Sequence, residues 1–498
     1  MRLFSAKKHL TGLWLLIVLL SCQAGENSEI RQPAVAGAFY PANKAELRTM
    51  INNFLQNTKP VRLPAAPIAL ISPHAGYVYS GHVAAAAYAT IRNHTYKRVV
   101  VISPSHVEAF EGVSVFPGKA YRTPLGDAPI DREFSEKLIK ESSVCFFSEK
   151  GHGISLGRRG EHALEVQLPF LQTVLGDFKL VALVMGEQSY QTCRNLGRTL
   201  AKLTEDGQTL IVASSDLSHY HPYSDAVQRD KKVLRAIEEW DYFNLARNFQ
   251  TRLWEACGGG PIVVAMIAAE ERGANRAVLL KYANSGDIPG GDRSRVVGYS
   301  AFAFIEDPRW SEEQSDHFRL NKKEREELLK LARQAVETQI CEGKVVEATS
   351  DDPVLLADRG AFVTLTVNGR LRGCIGYTSP VEPLCTTVRD VAIKAAVSDP
   401  RFPAVSEQEL PQLHYEISVL SPLRRVKDIS EIEVGKHGLL IVKDRRAGLL
   451  LPQVPSEYGW DRITFLQQTC RKAGLPPDAW QDEQTDIFKF TAFVFGEE

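Results

Sequence analysis

The sequence predicts an α/β fold: a sheet flanked by helices, followed by a smaller α+β domain. Three observations carry this. Short apolar runs alternate with amphipathic patterns between residues 34 and 306, as strands buried beneath helices do. Four of those runs lead straight into a histidine-bearing or acidic segment. They are 67–71 before Ser72-Pro73-His74, 98–102 before Ser103-Pro104-Ser105-His106, 180–185 before Gly186-Glu187, and 210–213 before Ser214-Ser215-Asp216-Leu217-Ser218-His219. Ligands bind at the carboxyl ends of parallel strands, so four such strands in one sheet bring His74, His106 and His219 to one edge. Third, the pattern changes after residue 320 to mixed strands and helices, which gives a second domain of common size.

The elements follow in chain order. Arg2, Lys7 and Lys8 precede an apolar run at 13–20 that is too short to cross a bilayer comfortably. Residues 1–22 therefore read as a lipoprotein-type signal peptide ending at Cys22, the expected lipidation site. The expectation is an exported, membrane-anchored protein facing the periplasm, with the outer membrane favoured by Gln23. Residues 23–33 are mostly polar and read as a tether. In the first domain, 34–306, helices are expected at 164–175 (kinked at Pro169), 227–240 and 262–272, and late strands at 277–282 and 296–305. Charged residues 307–320 around Pro308 read as a linker. In the second domain, 321–498, helices are expected at 322–339, 385–397 and 462–473, and strands at 361–367, 416–420, 438–442 and 490–495.

Bulk properties remove some function classes. The 498 residues carry 44% hydrophobic and 24% charged residues and a net charge of -1. That balance gives no sign of a nucleic-acid partner. Eight cysteines are present, none with CxxC spacing, which argues against structural zinc. With Cys22 set aside, seven remain, an odd number.

The chemistry-bearing residues lie in the first domain. His74 and His106 each follow a strand and a proline. Proline stops the strand, and Gly76 permits a tight turn beside the His74 ring. Cys257 opens Cys257-Gly258-Gly259-Gly260-Pro261 before an apolar helix; a helix N-terminus lowers a thiol's pKa and favours the thiolate. His74, His106 and Cys257 are thus candidate metal ligands. His219, with Asp216 three residues before it, is read either as a general acid or base oriented by that carboxylate or as a fourth ligand. Glu161-His162-Ala163-Leu164-Glu165 opens a helix with Glu161 and Glu165 on one face; Glu161 and His162 are read as support around the ligands.

These residues resemble the Memo family, whose fold is related to class III extradiol ring-cleaving dioxygenases. The resemblance rests on Gly37-Ala38-Phe39-Tyr40-Pro41, Pro73-His74-Ala75-Gly76-Tyr77, Pro104-Ser105-His106, Tyr121-Arg122-Thr123-Pro124-Leu125, Glu161-His162, Ser214-Ser215-Asp216 with His219, and Cys257-Gly258 with Pro261-Ile262. It implies that His74, His106 and Cys257 fall on the family's metal-site positions and His219 on a pocket histidine. The dioxygenases use two histidines and a carboxylate for non-haem iron. Here a cysteine stands in the carboxylate's place, which softens the site, so ring cleavage does not follow from the fold.

In the second domain, Leu371-Arg372-Gly373-Cys374-Ile375-Gly376, Asp399-Pro400-Arg401-Phe402-Pro403, Glu416-Ile417-Ser418-Val419-Leu420-Ser421 and the Pro/Gly-rich 448–460 resemble the AMMECR-one family. Arg372, Cys374, Arg401 and Glu416 are candidates for a reactive or anion-binding pocket. The fusion resembles the AmmeMemoRadiSam arrangement, which implies a radical S-adenosylmethionine protein as a partner. The chain has no CxxxCxxC run, so that partner is a separate protein.

The leading expectation is a metal-dependent redox protein acting on an unidentified small molecule or peptide, with iron or copper favoured over zinc and the second domain as a cover over the substrate. The alternatives are a zinc-type hydrolase with His219 as base, and a non-enzymatic metal- or partner-binding module.

Overall fold

The computed structural model describes residues 29–59, 61–153, 160–310 and 318–497. The predicted signal peptide and Cys22 lie outside these residues. Ile30–Arg31, placed in the tether by the sequence reading, forms a short strand beside Ala120–Thr123. It is ordered because Arg31, 4% exposed, donates to Glu165 at 2.6 Å and to the His152 carbonyl at 2.8 Å.

The four apolar runs lie together in one nine-stranded sheet. Ala69–Ser72, Thr209–Ser214, Arg98–Pro104 and Lys179–Met185 are adjacent in that order and mutually parallel. Almost every residue in them is buried, as expected for strands covered on both faces. Val296–Ile305 runs antiparallel to Ala69–Ser72 and pairs on its far side with Arg276–Asn284 and Asp216–His221. The latter segment, which carries no alternating pattern in the sequence, is a bulged edge strand. Val113–Val115 and Cys145–Phe147 close the opposite edge.

Helix placement follows the apolar pattern with local corrections. Glu161-His162-Ala163-Leu164 forms a turn rather than a helix start and is followed by the 3-10 turn Glu165–Gln167 and the helix Leu168–Val174. Pro169 sits in that helix's first turn, so it starts the helix and does not kink it. Tyr190–Leu203 and Gly259–Glu271 pack closely where a Cβ on Gly197 would stand 2.9 Å from Ile267.

The second half has two four-stranded antiparallel sheets. The first, Arg370–Tyr377, Ala361–Val367, Leu413–Leu420 and Ala492–Gly496, is covered by Lys322–Glu342 and Leu384–Val397. The second contains Arg424–Arg425, Asp486–Phe490, Gly438–Lys443 and Arg446–Leu450. The expected strand at 490–495 is two strands, one in each sheet. The second sheet is apolar on both faces with period two. Leu439, Ile441 and Ile487 pack with Phe465 and Leu466 of the helix Arg462–Lys472. Leu440, Val442, Phe488 and Phe490 join the core of the first half, beside Tyr190, Tyr242 and Leu245. Polar contacts frame this seam: buried Asp486 accepts from Tyr190 at 2.9 Å, Arg194 at 2.7 Å and Arg198 at 2.6 Å.

Candidate metal centre

Parallel order puts the strand ends on one edge. His74 and His106 leave the strands on either side of Thr209–Ser214, which itself leads into Ser215 and Asp216. The Cys257 loop closes over that strand end: Gly258 N–H donates to Ser215 Oγ at 3.0 Å, and Cys257 N–H to the Asp216 carbonyl at 3.3 Å. No side chain fits at 258, where a Cβ would meet the Ser214 carbonyl oxygen at 2.2 Å.

The result is a His74, His106 and Cys257 group whose ligand atoms lie within 4.8 Å of one another. His74 Nε2 and Cys257 Sγ are 3.0 Å apart; ligands of a tetrahedral site lie about 3.5 Å apart. Each imidazole is tied at Nδ1. Ser214 Oγ gives its one proton to the Ala163 carbonyl at 2.6 Å and accepts from Gln167 at 2.7 Å. Towards His74 Nδ1, at 2.9 Å, it is therefore an acceptor. That sets the His74 proton on Nδ1 and leaves the Nε2 lone pair facing Cys257. His106 Nδ1 pairs with Glu161 Oε1 at 3.1 Å, which orients its Nε2 in the same way. The donor set, two imidazoles and a thiol with bound outer partners, fits a transition metal.

Glu161 is 2% exposed and accepts from the backbone N–H of His106, His162 and Ala163 at 2.6, 2.9 and 3.0 Å. Burial works against its charge, but these bonds and His106 hold the carboxyl down at about 2. Partial desolvation lowers His106, whose side chain is 31% exposed, but Glu161 outweighs it and raises His106 above the ordinary histidine range. Burial and the neighbouring His106 push His74 well down, so it is neutral. Burial and His74 lower His162 to about 4; its ring stacks on His106 at 4.9 Å. With His106 and Glu161 it forms a second group of ligand-type atoms.

Asp216 is buried, which raises its carboxyl. It accepts from His74 N–H at 2.8 Å, and its own N–H faces Cys257 Sγ at 3.3 Å. The thiol differs from expectation: burial, then the nearby Asp216 carboxylate, pushes Cys257 up and not down. Desolvation therefore outweighs the helix N-terminus until a cation replaces the proton. His219 stands outside the ligand group; its Nδ1 pairs with the Leu217 carbonyl at 2.7 Å, leaving Nε2 available. Tyr220 beside it holds φ 63.

Three of the second-half candidates meet around Cys374, where Arg401 donates to the Cys374 carbonyl at 3.2 Å and Cys374 N–H donates to Asp399 at 2.9 Å, but both candidate guanidiniums are already paired with carboxylates. Arg372 is engaged by Glu409 at 2.7 Å and Arg401 by Asp399 at 2.7 Å. Cys374 and Glu416 flank Thr364 in one row across the sheet, and Thr364 donates to Cys374 Sγ at 3.3 Å. The second half, expected as a cover over the strand ends, is docked on the helix layer through the apolar seam.

A family model described as Memo-like protein matches residues 31–303. The chain belongs to the Memo family. A second model, AMMECR1, matches residues 329–495, so a Memo domain is fused to an AMMECR1 domain. The MEMO1 family protein of Methanopyrus kandleri is 38% identical over 285 residues, covering 55% of this chain and 98% of that protein. The MEMO1 family protein of Nitrosopumilus maritimus is 35% identical over 281 residues, covering 55% of this chain and all of that protein (100%). The crystal structure of an uncharacterized protein from Pyrococcus horikoshii is 46% identical, covering 34% of this chain and 90% of its own, with a TM-score of 0.34.

These findings correct the lipoprotein, signal-peptide, periplasmic and membrane-anchored reading. The two family models start at residue 31 and end at residue 495, and the Memo relatives named above are archaeal proteins matched over nearly their whole length. Among the described residues, no helix is long and apolar enough to cross a membrane. Ser214 and Gln167, the partners that orient His74, are not among the site residues expected from the sequence. Ser214 sits in a quoted motif, whereas a lone glutamine carries no signal.

Proposed function

We propose that the Memo half holds a redox-active metal ion, iron or copper, on His74, His106 and Cys257. In this reading His219, assisted by Asp216, moves protons for a small-molecule or peptide substrate at the strand ends. One observation carries it: both rings are tied at Nδ1, and the free Nε2 of His74 faces Cys257 Sγ at 3.0 Å. Bound there, the metal supplies electron transfer and open coordination positions.

The protein's own part follows from its bonds. Glu161 fixes the His106 ring and balances positive charge beside it. Ser214 and Gln167 do the same for the His74 tautomer without adding charge. His219 Nδ1–H is committed to Leu217, so Nε2 is the atom that takes and returns a proton. Asp216 lies in the field of His219. A separate radical S-adenosylmethionine protein is the partner proposed for this two-domain arrangement.

Elemental analysis of the chain purified with and without oxygen tests the reading. The expected result is near-stoichiometric iron or copper, lost in His74→Ala and Cys257→Ala. Stoichiometric zinc would turn the reading to hydrolysis. Metal content unchanged in both variants would remove the ligand assignment.

A further inference from the structure

Gln188 lies between the strand Lys179–Met185 and the helix Tyr190–Leu203, and its amide makes two bonds to the loop that carries Cys257. Nε2 donates to the Cys257 carbonyl at 3.1 Å, and Oε1 accepts from Gly260 N–H at 2.6 Å. Gly260 is in the first turn of Gly259–Glu271, where N–H groups have no partner within the helix. The fit leaves no spare room: a Cβ on Gly260 would stand 2.8 Å from the Gln188 side chain.

The other side of the loop is held by Asp216 and Ser215. Cys257 is thus gripped from two directions, with its sulfur aimed at His74. The helix that follows Gln188 carries Tyr190, Arg194 and Arg198, which hold Asp486 of the AMMECR1 half. We infer that Gln188 is a positioning residue for Cys257, clipping the ligand loop to the helix on which the AMMECR1 half is docked. This rests on the proposed metal centre.

Cobalt(II) titration of the full chain, followed by absorption, separates the two claims. Sulfur-to-cobalt charge transfer in the near ultraviolet reports the Cys257 bond itself, which a merely structural role would leave unaltered. Gln188→Met keeps the side-chain length and removes both hydrogen bonds; Gln188→Glu keeps the bond from Gly260. The expected result is a sulfur band in the parent chain and about tenfold weaker cobalt binding in Gln188→Met, as for other residues that orient metal ligands. The band should be reduced or shifted, with Gln188→Glu in between. Parent-like affinity and band in Gln188→Met would overturn the inference and leave the metal centre standing. No sulfur band in the parent would overturn both. If Gln188→Met does not fold, Gln188→Glu decides: weaker binding with an altered band supports the inference, and parent-like binding overturns it.

Discussion

At the residue scale, Glu161 has the most to lose. It is a buried carboxylate with bonds from three backbone N–H groups and the His106 ring. Its folded pKa of about 2 lies below the ordinary 4.5, so its charge stabilises the fold above pH 4.5, and that contribution is lost as pH falls through about 2. Glu161→Gln should cost about 2–3 kcal/mol at pH 7. The difference from the parent should shrink steadily below pH 4.5, as read by urea unfolding of the metal-free chain across pH 7 to 2. A difference that stays constant to pH 2 would mean that geometry and not charge holds the turn. The candidate ligand residues are readable in the sequence because each sits at a forced break, a strand stopped by proline before His74 and His106 or a glycine run after Cys257. Gln167 and Gln188 are not, since their roles depend on which distant backbone groups happen to face them.

At the element scale, the three glycines after Cys257 let a helix start against a strand end. Gly258 is the tightest: its missing Cβ faces the Ser214 carbonyl oxygen at 2.2 Å and the Ser215 side chain at 2.7 Å. Main-chain atoms in a central parallel strand cannot yield, so Gly258→Ala should cost about 2–3 kcal/mol through overpacking. The denaturation midpoint should fall without a change in slope; an unmoved midpoint would show that the loop relaxes freely. The central parallel strands could be read from sequence because burial on both faces makes them continuous apolar runs. Asp216–His221 escaped for the opposite reason. It is a polar edge strand whose register against Val296–Ile305 is broken twice by irregularities, so no alternation marks it. The split of 486–496 into two strands was also hidden, because successive apolar residues serve different sheets.

At the scale of the whole molecule, the second sheet of the AMMECR1 half decides how the two halves behave together. Leu440, Val442, Phe488 and Phe490 are at most 6% exposed and belong to the same apolar cluster as Tyr190, Tyr242 and Ile262 of the Memo half. Parting the halves would expose that face to water at about 25 cal/mol per Å². It would also strip Asp486 of Tyr190, Arg194 and Arg198 of the Memo half, leaving it with Arg425 of its own half at 3.7 Å. A linker and two family matches suggest beads on a string, whereas the seam makes the halves one cooperative body. Heating the chain in a calorimeter should therefore give one transition, with calorimetric and van't Hoff enthalpies in agreement. Asp486→Ala leaves Arg194 without its carboxylate and Arg198 with Glu271 alone, at 3.3 Å, and should cost about 3 kcal/mol. That loss should lower the single transition or begin to divide it in two. Two separate transitions in the parent chain, with only the later one shifted by Asp486→Ala, would mean that the seam holds contact without cooperation. The helix Tyr190–Leu203 would then transmit nothing from the AMMECR1 half to the Cys257 loop.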